Sequence, residues 1–105
     1  MAQIDTVVLD RVRSFLKKIN QAGISVSHAY IFGSHARGQA DEWSDIDIAI
    51  VSPNIGPDRF EERIRLTEIA INIDDRLEPL PFSSDNFNDG DPLVRNIKKE
   101  GIPVT

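Results

Sequence analysis

The chain contains no cysteine and few aromatic residues, because its 105 residues include one tryptophan, one tyrosine and five phenylalanines. Without cysteine there are no disulfides, no thiolate zinc sites and no thiol nucleophiles. A protein that makes no use of cysteine suits the reducing cytoplasm, where disulfides are rare. We therefore expect a cytoplasmic protein whose chemistry does not depend on sulfur.

Long apolar runs and an excess of basic charge are also missing. No segment approaches the roughly 18 to 20 consecutive apolar residues of a membrane-spanning helix, and residues 1–15 lack the apolar run of a signal peptide. Lys and Arg number 12 against 17 Asp and Glu, which gives a formal net charge of −5. Since binding to a phosphate backbone requires a basic surface, this balance argues against broad nucleic-acid binding. We expect no membrane association.

Apolar residues make up 40% of the chain and charged residues 28%, which is ordinary globular usage. At this length we predict a single domain over residues 1–105. Periodic patterns predict helices in 4–20, 58–73 and 92–100, with Phe60 and Ile64 on the buried side of the second. Runs rich in β-forming residues predict strands in 26–32, 44–52 and 76–82, and a short strand at the end of the chain. The two prolines of the third run confine it to a sheet edge or a strand end. This order predicts an α+β fold, a small mixed β-sheet with helices packed on it.

Two aspartates interrupt the most apolar strand pattern, "SDIDIAIVS". Isoleucines alternate with Asp45 and Asp47, so the predicted strand has an apolar face and an acidic face. Residues two apart on a strand are separated by roughly 6.6 Å, so both carboxylates can reach one point above the sheet. Oxygen ligands of this kind suit Mg²⁺ or Mn²⁺. Two aspartates spaced in this way, taken alone, more often form ion pairs with arginines. The metal interpretation therefore needs support from elsewhere in the chain.

That support comes from Gly33-Ser34, which follows the first predicted strand and precedes a predicted helical turn. Glycine lets the backbone approach a ligand closely, and free N–H groups at the start of a helix favour a phosphate. Gly38 completes the glycine spacing of a P-loop, but Gln39-Ala40 stand where Lys and Ser/Thr are required. The segment is therefore not a Walker A loop.

Together, Gly33-Ser34, ten intervening residues and then Asp45-x-Asp47 resemble the signature of the minimal (MNT-type) nucleotidyltransferases of the DNA polymerase β superfamily. The segments "SHARG", "SDIDIAIV", "RLEPLPFSSDNF" and "PLVRNIKKEGIPV" also look like that family, so the resemblance covers most of the chain. It implies the nucleotidyltransferase fold. It also implies that Gly33 and Ser34 hold the nucleotide phosphates, and that Asp45 and Asp47 hold two metal ions, with Mg²⁺ expected and Mn²⁺ as the alternative.

The resemblance implies a third acidic residue on a later strand. The family's usual aspartate is replaced here by Glu78, to which we assign this place, and Asp74 and Asp75 remain alternatives. Arg37 is a candidate for offsetting the triphosphate charge, although an ion pair with a nearby acid explains it equally well. The predicted catalytic and metal-binding set is Asp45, Asp47 and Glu78.

The function implied is Mg²⁺-dependent transfer of a nucleoside monophosphate, AMP from ATP, to a hydroxyl group. Minimal nucleotidyltransferases are typically paired with a HEPN-domain toxin, which they silence as antitoxins by AMP transfer or by contact. A protein acceptor is therefore predicted in preference to a nucleic acid. The alternative is a catalytically weak or inactive protein of the same fold that neutralises its partner by contact. The formation of homo-oligomers is left open by the sequence.

Overall fold

The computed structural model describes residues 4–104. Its elements follow one another along the chain as α1 (Thr6–Gln21), β1 (His28–Phe32), β2 (Ile46–Ser52), α2 (Arg59–Ile71), β3 (Leu77–Ser83), α3 (Pro92–Glu100) and β4 (Ile102–Pro103). Every predicted helix and strand is present, in the predicted order. The α+β prediction is therefore confirmed.

The four strands form one mixed sheet in the order β3-β2-β1-β4. β1 is antiparallel to both β2 and β4, whereas β2 and β3 run parallel. β3 lies at the edge of the sheet, as its two prolines predict, because proline has no N–H to donate to a second neighbour. Asp47 is the second residue of β2 and lies beside Phe32 of β1 on one side and Glu78 of β3 on the other.

The two faces of β2 are buried under different helices. The isoleucine face, with Ile46, Ile48 and Ile50, belongs to a core that also contains the buried residues of α1 and α2. On the opposite face, Ala49 and Val51 belong to a second core with α3. Because side chains alternate along a strand, Asp47 shares the face of this second core and lies at its open end. The predicted apolar face is present, but the opposite face is also apolar apart from Asp47, so the predicted acidic face is reduced to this one residue of the strand.

Each helix begins at an aspartate that caps its first turn. Asp5 accepts a hydrogen bond from the amide of Val7, Asp58 from the amides of Phe60 and Glu61, and Asp91 from the amide of Leu93. A carboxylate in this position satisfies amides that have no partner within the helix. None of the helices within residues 4–104 has the length and apolar character needed to cross a membrane.

The face of α2 that was predicted to be buried is wrong. Phe60 and Ile64 were expected in the core, but they are 73% and 45% exposed. The buried residues of α2 are Leu66 and Ala70. Apolar side chains occur on two sides of this helix, so periodicity alone did not identify the side that packs on the sheet.

One local prediction near the aspartates also needs correction. β2 begins at Ile46, so Asp45 lies just before the strand and not within it. The helical turn predicted after Gly33 is present, as hydrogen-bonded turns over residues 33–38. Gly38 has φ +71°, and the Gln39 amide donates to the Ser34 carbonyl at 2.9 Å. This is the bonding of a Schellman-type ending, which stops the first helical turn as soon as it has formed.

Candidate active site

Gly33 and Asp47 approach each other more closely than any residue with a side chain at position 33 would allow. Gly33 follows β1 and has φ +72°. A Cβ atom built on Gly33 would overlap the Asp47 Oδ2 atom and would lie 3.3 Å from its Cγ atom. Glycine is therefore favoured twice, once by the left-handed backbone and once because any side chain here would have to displace the Asp47 carboxylate. This contact joins the two halves of the predicted motif.

Glu78 lies beside Asp47 in the register of the parallel pair β2–β3. Neighbouring strands are about 4.8 Å apart, and paired residues project from the same face of the sheet. Asp45 immediately precedes β2. The topology therefore places all three predicted acidic residues at one end of the sheet, on or next to two adjacent strands.

These acids affect one another electrostatically. The pKa of Asp47 is raised, first by partial burial and then by the negative charges of Asp45 and Glu78. His35 and Arg37 oppose this shift and lower the pKa. A carboxylate that is partly withdrawn from water and flanked by like charges favours the approach of a cation. The chemistry of Asp45 and Asp47, two carboxylates two residues apart in the chain, fits a divalent metal ion.

The third carboxylate is turned toward a different partner. Glu78 Oε2 accepts a hydrogen bond from Arg63 Nη2 of α2 at 3.2 Å, and both side chains are about half exposed, Arg63 at 51% and Glu78 at 43%. Within residues 4–104 no group of three or more acidic, histidine or cysteine side chains lies close enough together to hold a metal ion. The structure thus brings Asp45, Asp47 and Glu78 to one end of the sheet, but their carboxylates do not converge on one point. No local sequence pattern indicates the ion pair of Arg63 with Glu78, because the two residues are 15 positions apart in the chain.

The Asp74 carboxylate is bound to Arg76. Its carboxylate accepts hydrogen bonds from the side chain of Arg76, the shorter at 2.8 Å, and the Arg76 amide donates to it as well. These hydrogen bonds from Arg76 lower the pKa of Asp74. Arg76 also donates to the Glu42 carbonyl at 3.4 Å, which ties the segment before Asp45 to the start of β3. Asp74 has the surroundings of a structural ion pair, whereas Asp75 is exposed.

We expect Asp74→Asn to lower the free energy of unfolding by about 1–2 kcal/mol at pH 7 and to leave nucleotide binding unchanged. Because the folded pKa lies below the ordinary value of 3.8, the stabilisation is present above that value and is lost as the pH falls through the folded pKa. Urea unfolding at pH 7 and below pH 3.8 measures the difference, with Asp75→Asn as the exposed control. A penalty that is equally large at acid pH would contradict the ion-pair assignment.

The segment 33–39 folds back on itself. The Gly33 carbonyl accepts hydrogen bonds from the amides of Ala36 and Arg37, at 3.1 and 3.2 Å. Within residues 4–104, no protein acceptor binds the amides of Ser34 and His35. Two adjacent free amides in a turn are the kind of group that binds a phosphate oxygen. Arg37 is exposed, and its Nε atom donates to Gln39 at 3.2 Å.

His35 connects the two segments that meet at the site. It is 8% exposed, and its Nε2 atom lies 3.5 Å from the Ser44 carbonyl, next to Asp45. The sequence did not identify this role, because a histidine in a loop carries no spacing that indicates a long-range contact. The position of His35 between the glycine turn and the aspartates indicates that it holds the two together.

Comparison with known proteins supports what the geometry suggests. The family model described as "Nucleotidyltransferase domain" matches residues 9–103. A crystal structure of a Sulfolobus solfataricus protein, whose assignment as a nucleotidyltransferase is provisional, superposes with a TM-score of 0.64 at 21% sequence identity. That alignment covers 93% of this chain and 79% of the other. None of the curated proteins compared with the chain is significantly similar to it in sequence. The likeness in structure shows the fold, and the match over residues 9–103 shows that the chain belongs to the nucleotidyltransferase domain family.

Proposed function

We propose that the chain is a Mg²⁺-dependent nucleotidyltransferase of the cytoplasm that transfers AMP from ATP to a hydroxyl group of a partner protein. Membership of the family supports the transfer of a nucleoside monophosphate. The observation that carries the residue assignment is the contact between Gly33 and the Asp47 carboxylate, beside Glu78 in the sheet. This contact brings the turn at Gly33 next to the acidic residues at one end of the sheet.

In this proposal each end of the site has its own task. The free amides of Ser34 and His35 bind the β- and γ-phosphates, and Arg37, close enough to Asp47 to lower its pKa, neutralises part of their charge. Asp45 and Asp47 hold two divalent ions, with Mg²⁺ preferred and Mn²⁺ as the alternative. Ions held by Asp45 and Asp47 would supply positive charge that stabilises the entering and leaving oxygens.

The transfer itself is a displacement at the α-phosphorus of ATP. The acceptor oxygen forms a bond to this phosphorus, and the bond from the phosphorus to the oxygen that bridges to the β-phosphate breaks. Pyrophosphate leaves, and the hydroxyl proton passes to the Glu78 carboxylate. Since the protein forms no covalent bond with the substrate, its contribution is positioning and charge stabilisation.

The acceptor proposed is a protein, and specifically a HEPN-domain toxin for which this chain is the antitoxin. The net charge of −5 makes a polyanion a poor match for a site that is already acidic. A folded partner can present its own hydroxyl, and the family resemblance favours a HEPN-domain protein.

A second candidate function follows from the Arg63–Glu78 ion pair. If Glu78 stays bound to Arg63, the third carboxylate is neutralised and the chain acts on its partner by contact alone. The two candidates make different predictions for the partner's covalent mass.

We expect intact-mass spectrometry of a HEPN-domain partner co-expressed with this chain to show one or more added AMP units. Asp47→Asn should remove the added mass, whereas Asp85→Asn, an exposed change in the loop after β3 at the opposite end of the sheet, should keep it. A partner that is bound and silenced without added mass would establish the contact mechanism instead. Failure of any such partner to bind would remove the antitoxin assignment.

A further inference from the structure

The outward side of α2 carries an apolar stripe that nothing in residues 4–104 covers. Phe60, Ile64 and Ile71 are 73%, 45% and 62% exposed. With Thr67 they line a shallow groove of about 370 Å³, together with Arg63 and Glu68. The opposite side of the helix is buried through Leu66 and Ala70. The stripe therefore projects away from the core of its own chain.

The spacing of the stripe is that of a coiled-coil seam. Phe60, Ile64, Thr67 and Ile71 are separated by four, three and four residues, which are the steps between successive a and d positions of a heptad. With Ile64 and Ile71 at a and the other two at d, Arg63 falls at g and Glu68 at e. Helices with this pattern pack along the seam, and the flanking charges set their orientation.

The charges at g and e distinguish the two ways in which two such helices can pair. In a parallel pair related by a two-fold axis along the helices, a g residue faces the e residue five positions later on the other helix, so Arg63 meets Glu68 of the second copy. In an antiparallel pair, g faces g and e faces e, so arginine meets arginine and glutamate meets glutamate. The sequence of α2 complements itself only in the parallel orientation.

We propose that two copies of this chain associate through α2, paired in parallel along Phe60, Ile64, Thr67 and Ile71. The ion pair within each chain is no obstacle, because the Arg63 guanidinium has five N–H donors and can bind Glu78 and Glu68 of the second copy together. The seam is shorter than two heptads, and one of its d positions is a threonine. The association is therefore reversible, with a dissociation constant of about 1 µM or weaker.

Sedimentation velocity over a range of protein concentrations tests the association. Wild-type protein should change from monomer to dimer as the concentration rises. Ile64→Glu, which places a carboxylate in the centre of the seam, should raise the dissociation constant at least about tenfold. Leu93→Glu serves as the control, because Leu93 is an exposed apolar residue of α3, 40% exposed and outside the seam. It should leave the monomer–dimer equilibrium unchanged.

A disulfide tests the orientation. The chain has no cysteine, so Ile71→Cys introduces a single thiol. In the parallel pair the two thiols at position 71 face each other across the seam, and mild oxidation should join the copies. In an antiparallel pair they lie at opposite ends of the helices, about 16 Å apart along the axis, beyond the 7 Å between Cα atoms that a disulfide can span. Leu93→Cys is the matched control and should not cross-link.

Three results would overturn the proposal. A wild-type chain that stays monomeric up to about 1 mM has no such self-association. A dimer that is unaffected by Ile64→Glu, or that cross-links no better through position 71 than through position 93, uses a different surface or orientation. If the chain alone is monomeric and Ile64→Glu abolishes binding to a HEPN-domain protein, the stripe belongs to that partner. None of these results depends on whether the chain transfers AMP.

Discussion

Asp47→Asn should reduce nucleotidyl transfer by more than about 100-fold while the protein stays folded. The substitution removes a carboxylate proposed to bind metal directly, and losing such a ligand costs more than the 10–100-fold typical of changes to groups that only support one. Asp47 lies at the open end of the α3 side of the sheet, and none of the ion pairs within residues 4–104 involves it. Transfer is measured with the proposed HEPN-domain partner, and circular dichroism reports the fold.

The same variant should be at least as stable as the wild type when no metal is present. The folded-state pKa of Asp47 is raised above its ordinary value of 3.8, so its ionised form costs stability above the folded pKa, and this cost disappears as the pH falls below the unfolded value. Asparagine removes the cost at neutral pH. Thermal melts in a metal chelator measure the effect, with Asp85→Asn as the control. An unfolded Asp47→Asn protein, or one with full activity, contradicts the assignment.

Gly33→Ala should lose both stability and activity, whereas Gly23→Ala should lose stability alone. Both glycines have positive φ, +72° at Gly33 and +93° at Gly23. Either alanine therefore strains the backbone by about 1–3 kcal/mol. Only at Gly33 would the added methyl group overlap the Asp47 carboxylate, because nothing lies within 4 Å of a Cβ atom at Gly23. Displacing a catalytic group by about 1 Å can cost about 100-fold in rate.

The pair of variants separates strain from positioning. Urea unfolding gives the stability of each variant, and the transfer rate is measured at a temperature at which both are folded. Equal activities in the two variants would mean that the close approach of Gly33 to Asp47 has no part in the reaction.

The sequence predicted the parts of this molecule that depend on local patterns. Alternating isoleucines and aspartates located β2 and its isoleucine face, and the prolines of β3 limited that strand to a sheet edge or a strand end. The combined motif of Gly33-Ser34 with Asp45 and Asp47 located the acidic end of the sheet and the turn beside it. These features are visible because the residues that create them are close together in the chain.

What the sequence did not predict depends on contacts between distant segments. Arg63 binds Glu78, and His35 contacts the carbonyl of Ser44, through the way in which helices and loops pack on the sheet. The face of α2 was misassigned for the same reason. Its apolar residues satisfy two helical patterns, and only the position of the sheet decides that Leu66 is buried and Ile64 is exposed.

The most direct test of the account uses ATP labelled at either the α- or the γ-phosphorus, incubated with the chain, Mg²⁺ and the proposed HEPN-domain partner. Transfer of AMP predicts that the α-label becomes covalently attached to the partner, that the γ-label is released in pyrophosphate, and that Asp47→Asn prevents both. Attachment of the γ-label would mean phosphoryl transfer and would contradict the account. So would a partner that is bound in the presence of Mg²⁺ and ATP but acquires neither label.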